Sequence, residues 1–188
     1  MTTDRDRAPL EIVRPLLRVR QIRQFTDDPP TAAEIGALVD VARWSGSSMN
    51  TQPWRFIVVR DRAVLLQIHA AGLPQTRSLA TALAAIAIAL PNGDAISHAY
   101  DEGRAAERML IGASFLGLGA GIAWVLPGVR PLVADLLALP DGWFVRTIVV
   151  VGRPTDAARA PKAAPGKARL PREEVVFEGR WPADRREG

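Results

Sequence analysis

The chain has no cysteine. That absence excludes disulfides, thiolate metal sites and thiol catalysis together. Histidine is nearly missing too: only His69 and His98 occur, far apart, and neither has a companion suited to metal or triad work, so both read as structural. There is no G-x-S-x-G elbow and no H-E-x-x-H pair, and hydrolase chemistry therefore finds no anchor. Long apolar runs are lacking as well. The best, 79-LATALAAIAIAL-90, stops at Pro91-Asn92-Gly93 and is too short to span a bilayer. No apolar core follows the charges at the N-terminus, so a secretory leader is not expected and the expected compartment is the cytoplasm. Runs of like charge are also absent, although 24 basic residues give a net charge of +4 and a pI near 10.5. A nucleic-acid-binding module needs a basic stripe with interleaved aromatics. Arginines scattered beside Asp and Glu fit a compositional bias, or a local phosphate site, better.

What is present reads as one globular domain over residues 1–188. Apolar residues make up 48% and charged residues 23%, which is enough to build a core at this length. Residues 1–8 are polar and expected to fray. Leu10, Val13, Leu16, Leu17 and Ile22 suit a helix from Pro9 to Phe25, interrupted near Pro15. Thr31 with Glu34 forms a capping box for the next helix, which ends near Ser45-Gly46. Strands are expected at 55–61, 83–90, 122–126 and 144–154. Helices are expected at 62–71, 97–121 and 129–139, with Ser97 and the glycines 119–121 as the caps of the longest. Residues 155–166 read as a linker, and 167–181 as a tail with a short β-like piece at 175–177. Mixed helices and strands in this order predict an α+β domain, a sheet covered by helices.

Four stretches have polar groups that chemistry could use. On a helix, Arg20 and Arg23 of 18-RVRQIRQF-25 share a face, with Gln21 beside them, and could grip a phosphate or a ring carbonyl; a solvated arginine face is the plain alternative. The stretch 47-SSMNTQPWRF-56 gathers Ser47, Ser48, Asn50 and Gln52 just before a tryptophan and a core strand. A local Asx or Ser/Thr turn explains the first four residues, but not the second amide and Trp54. In 167-KARLP-171 the two cations lie two apart, so both face one way if the chain is extended; a charged tail is the alternative. The glycines of 116-LGLGAG-121 lack the G-x-G-x-x-G spacing and a preceding strand, so they read as a helix end rather than a nucleotide loop. Asp101, Glu102 and Glu107 beside Arg104 and Arg108 look like ordinary pairing along a helix.

In sequence, these stretches resemble the FMN-dependent nitroreductase superfamily. The resemblance runs from about residue 10 to 181. It rests on R-x-x-R-x-F, then S-S-x-N-x-Q-P-W-x-F, then L-G-L-G, V-G-x-P and a K-x-R-L-P tail. It implies a three-layer sandwich, a central mostly antiparallel sheet flanked by helices, with the C-terminal tail extending to a partner subunit. It also implies a homodimer with FMN at the interface. Arg20 and Gln21 would lie near the ribityl phosphate and Arg23 near the pyrimidine edge. Ser47, Ser48 and Asn50 would reach the flavin across the interface, with Gln52 and Trp54 holding their loop. The segment Ala123, Trp124, Val125 would meet the isoalloxazine, and Lys167 with Arg169 would complete the phosphate site.

The implied activity passes hydride from NAD(P)H, or a deazaflavin donor, through flavin N5 to a nitroaromatic, quinone or similar flat acceptor in a ping-pong cycle. No side chain need be catalytic, because the cofactor does the redox chemistry. A flavin-sequestering protein without turnover is the rival on the same fold. Departures from the family pattern bear on that choice. Val19 replaces an arginine, Gln21 a serine and Gly46 a proline, while Trp124 stands where glycine or acidic residues are usual.

Overall fold

The computed structural model describes residues 9–93, 95–160 and 169–181. Four strands make one sheet: β1 (Arg55–Val59), β2 (Ala84–Pro91), β3 (Gly119–Trp124) and β4 (Trp143–Gly152), in the order β1-β2-β4-β3. Every pairing is antiparallel. Two helices, α2 (Ala32–Arg43) and α4 (Ala95–Phe115), cover one face; α3 (Arg62–Ala71) and α5 (Arg130–Leu136) cover the other. The three expected layers are therefore present. Strand β2 shows why a run without polar alternation is right for this position. Ile86, Ile88 and Leu90 pack on the α2–α4 side, while Ala85, Ala87 and Ala89 face α3 and α5, so a strand covered on both faces carries no polar residue.

Thr31 caps α2 as its sequence signals: Glu34 N donates to Thr31 Oγ1 at 3.2 Å and Thr31 N to Glu34 Oε2 at 2.7 Å. Those bonds, the backbone one foremost, hold the Glu34 carboxyl below its usual range. Arg153 joins the same carboxylate at 3.3 Å and Asp28 at 2.6 Å, tying the start of α2 to the end of β4.

The N-terminal helix is much shorter than its apolar spacing predicts. Only α1 (Pro9–Val13) is α-helical; a 3-10 segment follows to Arg18, and from Val19 the chain is extended. The reason is tertiary. Ile22 N donates to Ala120 O at 2.8 Å, along the free edge of β3, and Phe25 bridges Pro154. Ile22 and Phe25 are buried there, whereas Leu10, Val13, Leu16 and Leu17 remain exposed. The glycines of β3 permit this approach: a Cβ at Gly119 would strike the Ile22 side chain and one at Gly121 the Ile22 carbonyl. Gly121→Ala should therefore push the segment off the strand and cost about 1–3 kcal/mol, as overpacking does. Gly36→Ala, in open space on α2, is the control and should stabilise by about 0.5–1 kcal/mol. Urea midpoints check both; an unchanged Gly121→Ala protein would mean the contact yields freely.

Four other boundaries differ from expectation. Helix α4 starts at Ala95, so Ser97 lies inside it rather than at its cap. It stops at Phe115, with Gly117 at φ 71 and Leu118 N donating back to Ala113 O at 2.8 Å; Gly119 and Gly121 belong to β3 instead. In the stretch read as linker, a helical turn α6 (Asp156–Arg159) forms, with Thr155 as its cap. In the tail, α7 (Arg172–Val175) replaces the expected β-like start, and Val176 is extended. No helix among the described residues is long and apolar enough to cross a membrane.

Candidate functional site

The extended N-terminal segment decides which polar groups meet. Side chains two apart point the same way on an extended chain, so Gln21 goes with Arg23 and not with Arg20. Arg23 Nη2 donates to Gln21 Oε1 at 3.0 Å, and the same oxygen accepts the Ile122 N–H at 3.2 Å. The amide thus stands in for a neighbouring strand at the β3 edge and fixes Arg23 beside it. Arg20 points elsewhere. Its guanidinium donates to the carbonyls of Ala158 and Ala160, both at 3.3 Å, and to that of Arg159, closing the end of α6. The expectation of two guanidiniums sharing one helical face is corrected: an extended chain sends them to opposite sides.

Gln21, Arg23, Ile122 and Trp124 line an open cavity of about 360 Å³, with Gln75 and Arg77 from the turn after α3 completing it. Two cations, two amides and an indole therefore surround one space. Neither Gln75 nor Arg77 was foreseen, because nothing in 72-GLPQTR-77 marks a site; only the packing of α3 on the sheet brings it to the β3 edge. Within 122–126, side chains alternate across the sheet. Ala123 and Val125 are fully buried in the core, with the Val125 N–H donating to Arg146 O at 2.8 Å, while Trp124 is 43% exposed. Lys167 lies outside the described residues; Arg169 is exposed.

Ser47, Ser48 and Asn50 do not line this cavity. They sit on a loop with unusual backbone: Met49, Asn50 and Gln52 have φ of 47, 58 and 48, the left-handed region that costs non-glycine residues. Gln52 N donates to Ser47 Oγ at 2.9 Å and Gln52 Nε2 to Asn50 Oδ1 at 3.2 Å. Trp54 is buried against Phe56, with centroids 6.2 Å apart. Gln52 and Trp54 hold the loop, leaving Ser48, Met49 and Asn50 exposed at its tip.

Of the acidic residues on α4, Glu107 is exposed, but the other two are not. Asp101 and Glu102 are both buried. Asp101 does keep the expected helical neighbour, Arg104, at 3.8 Å, but its carboxylate also accepts the Ser48 N–H at 3.1 and 3.2 Å. Glu102 instead pairs with Arg146 of β4 at 2.5 Å. Sequence spacing along one helix cannot show a partner that arrives from another strand. His69 is structural as expected, its ring nitrogen 3.2 Å from Thr76 O.

Comparison with known proteins agrees with this architecture. The nitroreductase family profile matches residues 18–95. A protein of Archaeoglobus fulgidus named as an NADH dehydrogenase/NAD(P)H nitroreductase is 31% identical over 144 residues, covering 73% of this chain and 82% of its own. The FMN reductase [NAD(P)H] of Bacillus subtilis is 25% identical over 185 residues, covering 88% and 72%. Among solved structures, B. megaterium NfrA2 superposes with a TM-score of 0.79 at 24% identity over 93% of this chain and 76% of that one, a likeness of fold.

Proposed function

The chain belongs to the nitroreductase family of oxidoreductases, and on that premise we propose that it binds FMN in the β3-edge cavity, takes reducing equivalents from NAD(P)H, and passes them to a flat aromatic acceptor. The observation carrying this reading is the cavity itself. Arg23 and Arg77 present cations, and Gln21 and Gln75 amides, beside the half-exposed indole of Trp124. That donor set fits a flat ring with a carbonyl-rich edge. When bound, the flavin would supply the hydride chemistry that no side chain here provides.

The chain's own residues bind and polarise. Arg23, held by Gln21, would face the pyrimidine edge and favour negative charge there, with Arg77 as a second cation. Lys167 and Arg169 are proposed for the phosphate; Arg20, engaged by three carbonyls, is assigned instead to fixing the segment that carries Gln21 and Arg23. Ser47, Ser48 and Asn50, at the tip of a strained loop, are proposed to serve the site of a second subunit in a homodimer.

Arg23→Ala/Arg77→Ala should weaken FMN binding at least tenfold, since each charge-assisted bond is worth about 1.5–3 kcal/mol, while leaving the urea midpoint within about 0.5 kcal/mol as for other surface changes. Flavin fluorescence titration reads it. Unaltered affinity would move the ring site elsewhere. The rival, a protein that holds flavin without turnover, is favoured by one feature, the bulky Trp124 in the cavity wall. Anaerobic NADPH decides: bleaching within seconds supports the reductase, and a yellow protein after many minutes supports the rival.

A further inference from the structure

Arg146 occupies an irregular place in the sheet. Ala89 of β2 pairs with Val145 and Ile88 with Thr147, so Arg146 is the extra residue of a β-bulge, a device that re-aims a side chain. Its Nε and Nη2 both donate to Glu102 Oε2, at 2.7 and 2.5 Å. The pair is nearly dry, with side chains 13% and 3% exposed, and the second Glu102 oxygen is buried with no partner. Burying such a pair costs the desolvation of both ions. The guanidinium carbon lies 5.8 Å from the Trp124 ring centroid and 5.9 Å from that of Phe144, and that of Arg130 lies 5.1 Å from the Phe144 centroid. Trp124 in turn is a wall of the β3-edge cavity.

We propose that Arg146, held by Glu102, is a positioning residue that braces the Trp124 indole as the aromatic wall of the cavity and so selects flat aromatic molecules over compact oxidants. The selectivity rests on the reductase reading; the brace does not. A guanidinium is suited to the task because its planar face stacks on an indole while its edge forks onto a carboxylate. Trp124 without it would be a half-exposed side chain at the last residue of an edge strand, free to turn into the space a ligand needs. Nothing about Arg146 in the sequence signals this, since the bulge appears only once β2 and β4 are aligned.

Labelling with 5-fluorotryptophan separates the two parts. The chain has five tryptophans, and the ¹⁹F line lost in Trp124→Phe identifies Trp124 without any flavin. In Glu102→Leu/Arg146→Met, which removes both charges together, that line should shift and broaden while those of Trp44 and Trp54 stay, which also shows that the fold persists. Turnover should split in the same variant. KM for a flat bicyclic quinone should rise about fivefold, the scale of a lost aromatic contact, with kcat and the rate with ferricyanide, which cannot stack, unchanged. Arg146→Lys keeps the ion pair without the planar face; it should keep the fold but not the low quinone KM. An unmoved Trp124 line overturns the brace, and a moved line with equal KM overturns the selectivity. A wild-type protein that NADPH never bleaches sinks the reductase reading, while the ¹⁹F result still decides the brace.

Discussion

Glu102→Ala should destabilise the protein by about 3–5 kcal/mol, because it leaves the Arg146 guanidinium buried without its counter-charge. The alternative partners are poor. Arg146 sits near Arg130, and burial together with the Arg146 charge already lowers the Arg130 pKa. Losing the carboxylate would place two cations against Phe144 with nothing between them. Arg146→Ala should cost a similar amount from the other side, leaving Glu102 with neither oxygen paired. Glu102→Leu/Arg146→Met is expected within about 2 kcal/mol of wild type, since an apolar pair of similar volume avoids the desolvation of both ions. A double-mutant cycle on urea midpoints reads the coupling. Additive losses would mean that the two charges are hydrated separately, and the tight pairing would then be an incidental contact rather than a structural one.

The pattern of what sequence does and does not reveal follows from the range of the forces involved. The Thr31–Glu34 box, α3 and the central strands are legible because their determinants lie within a few residues. Part of the stretch 47–56 is legible for the same reason: Ser47, Asn50 and Gln52 bond to one another. The N-terminal arm misleads because its apolar spacing satisfies a helix, while the winning interaction is a hydrogen bond from Ile22 to Ala120, ninety-eight positions away by number. Once the arm is extended, the grouping of Arg20, Gln21 and Arg23 changes, and with it the composition of the site. Arg77 and Arg146 are invisible for a stronger reason: each gains its place from the packing of a different element, α3 in one case and a bulge in β4 in the other.

Phe115→Glu should divide the proposed homodimer and release its flavin while leaving each subunit folded. Phe115 is 70% exposed at the end of α4, beside a groove of about 370 Å³ in which Ala37 and Val41 of α2 face Ile111 and Gly112 of α4. Trp44 and Met49 are exposed as well, just beyond α2 on the way into the strained loop. Apolar groups concentrated on one pair of helices are what an isologous contact uses, because the same patch must meet itself. Leu118, just past the end of α4, is buried in the subunit's own core and adds nothing to this face. A second apolar element, the tail with Val175, Val176 and Trp181 exposed, is proposed to reach across, and the two together should bury about 2,000–5,000 Å² as obligate dimers do. A glutamate at Phe115 would have to lose its hydration at that contact, yet costs the lone subunit little because the position is open to water. Light scattering and bound-flavin absorbance, before and after removal of the chain from Pro171, separate the contributions. A Phe115→Glu protein that stays dimeric would place the interface elsewhere. A wild-type monomer that keeps its FMN would remove the loop residues Ser47, Ser48 and Asn50 from the cofactor site altogether. A truncated dimer with normal flavin content would relieve only the tail of its role, leaving the α2–α4 face as the whole of the contact.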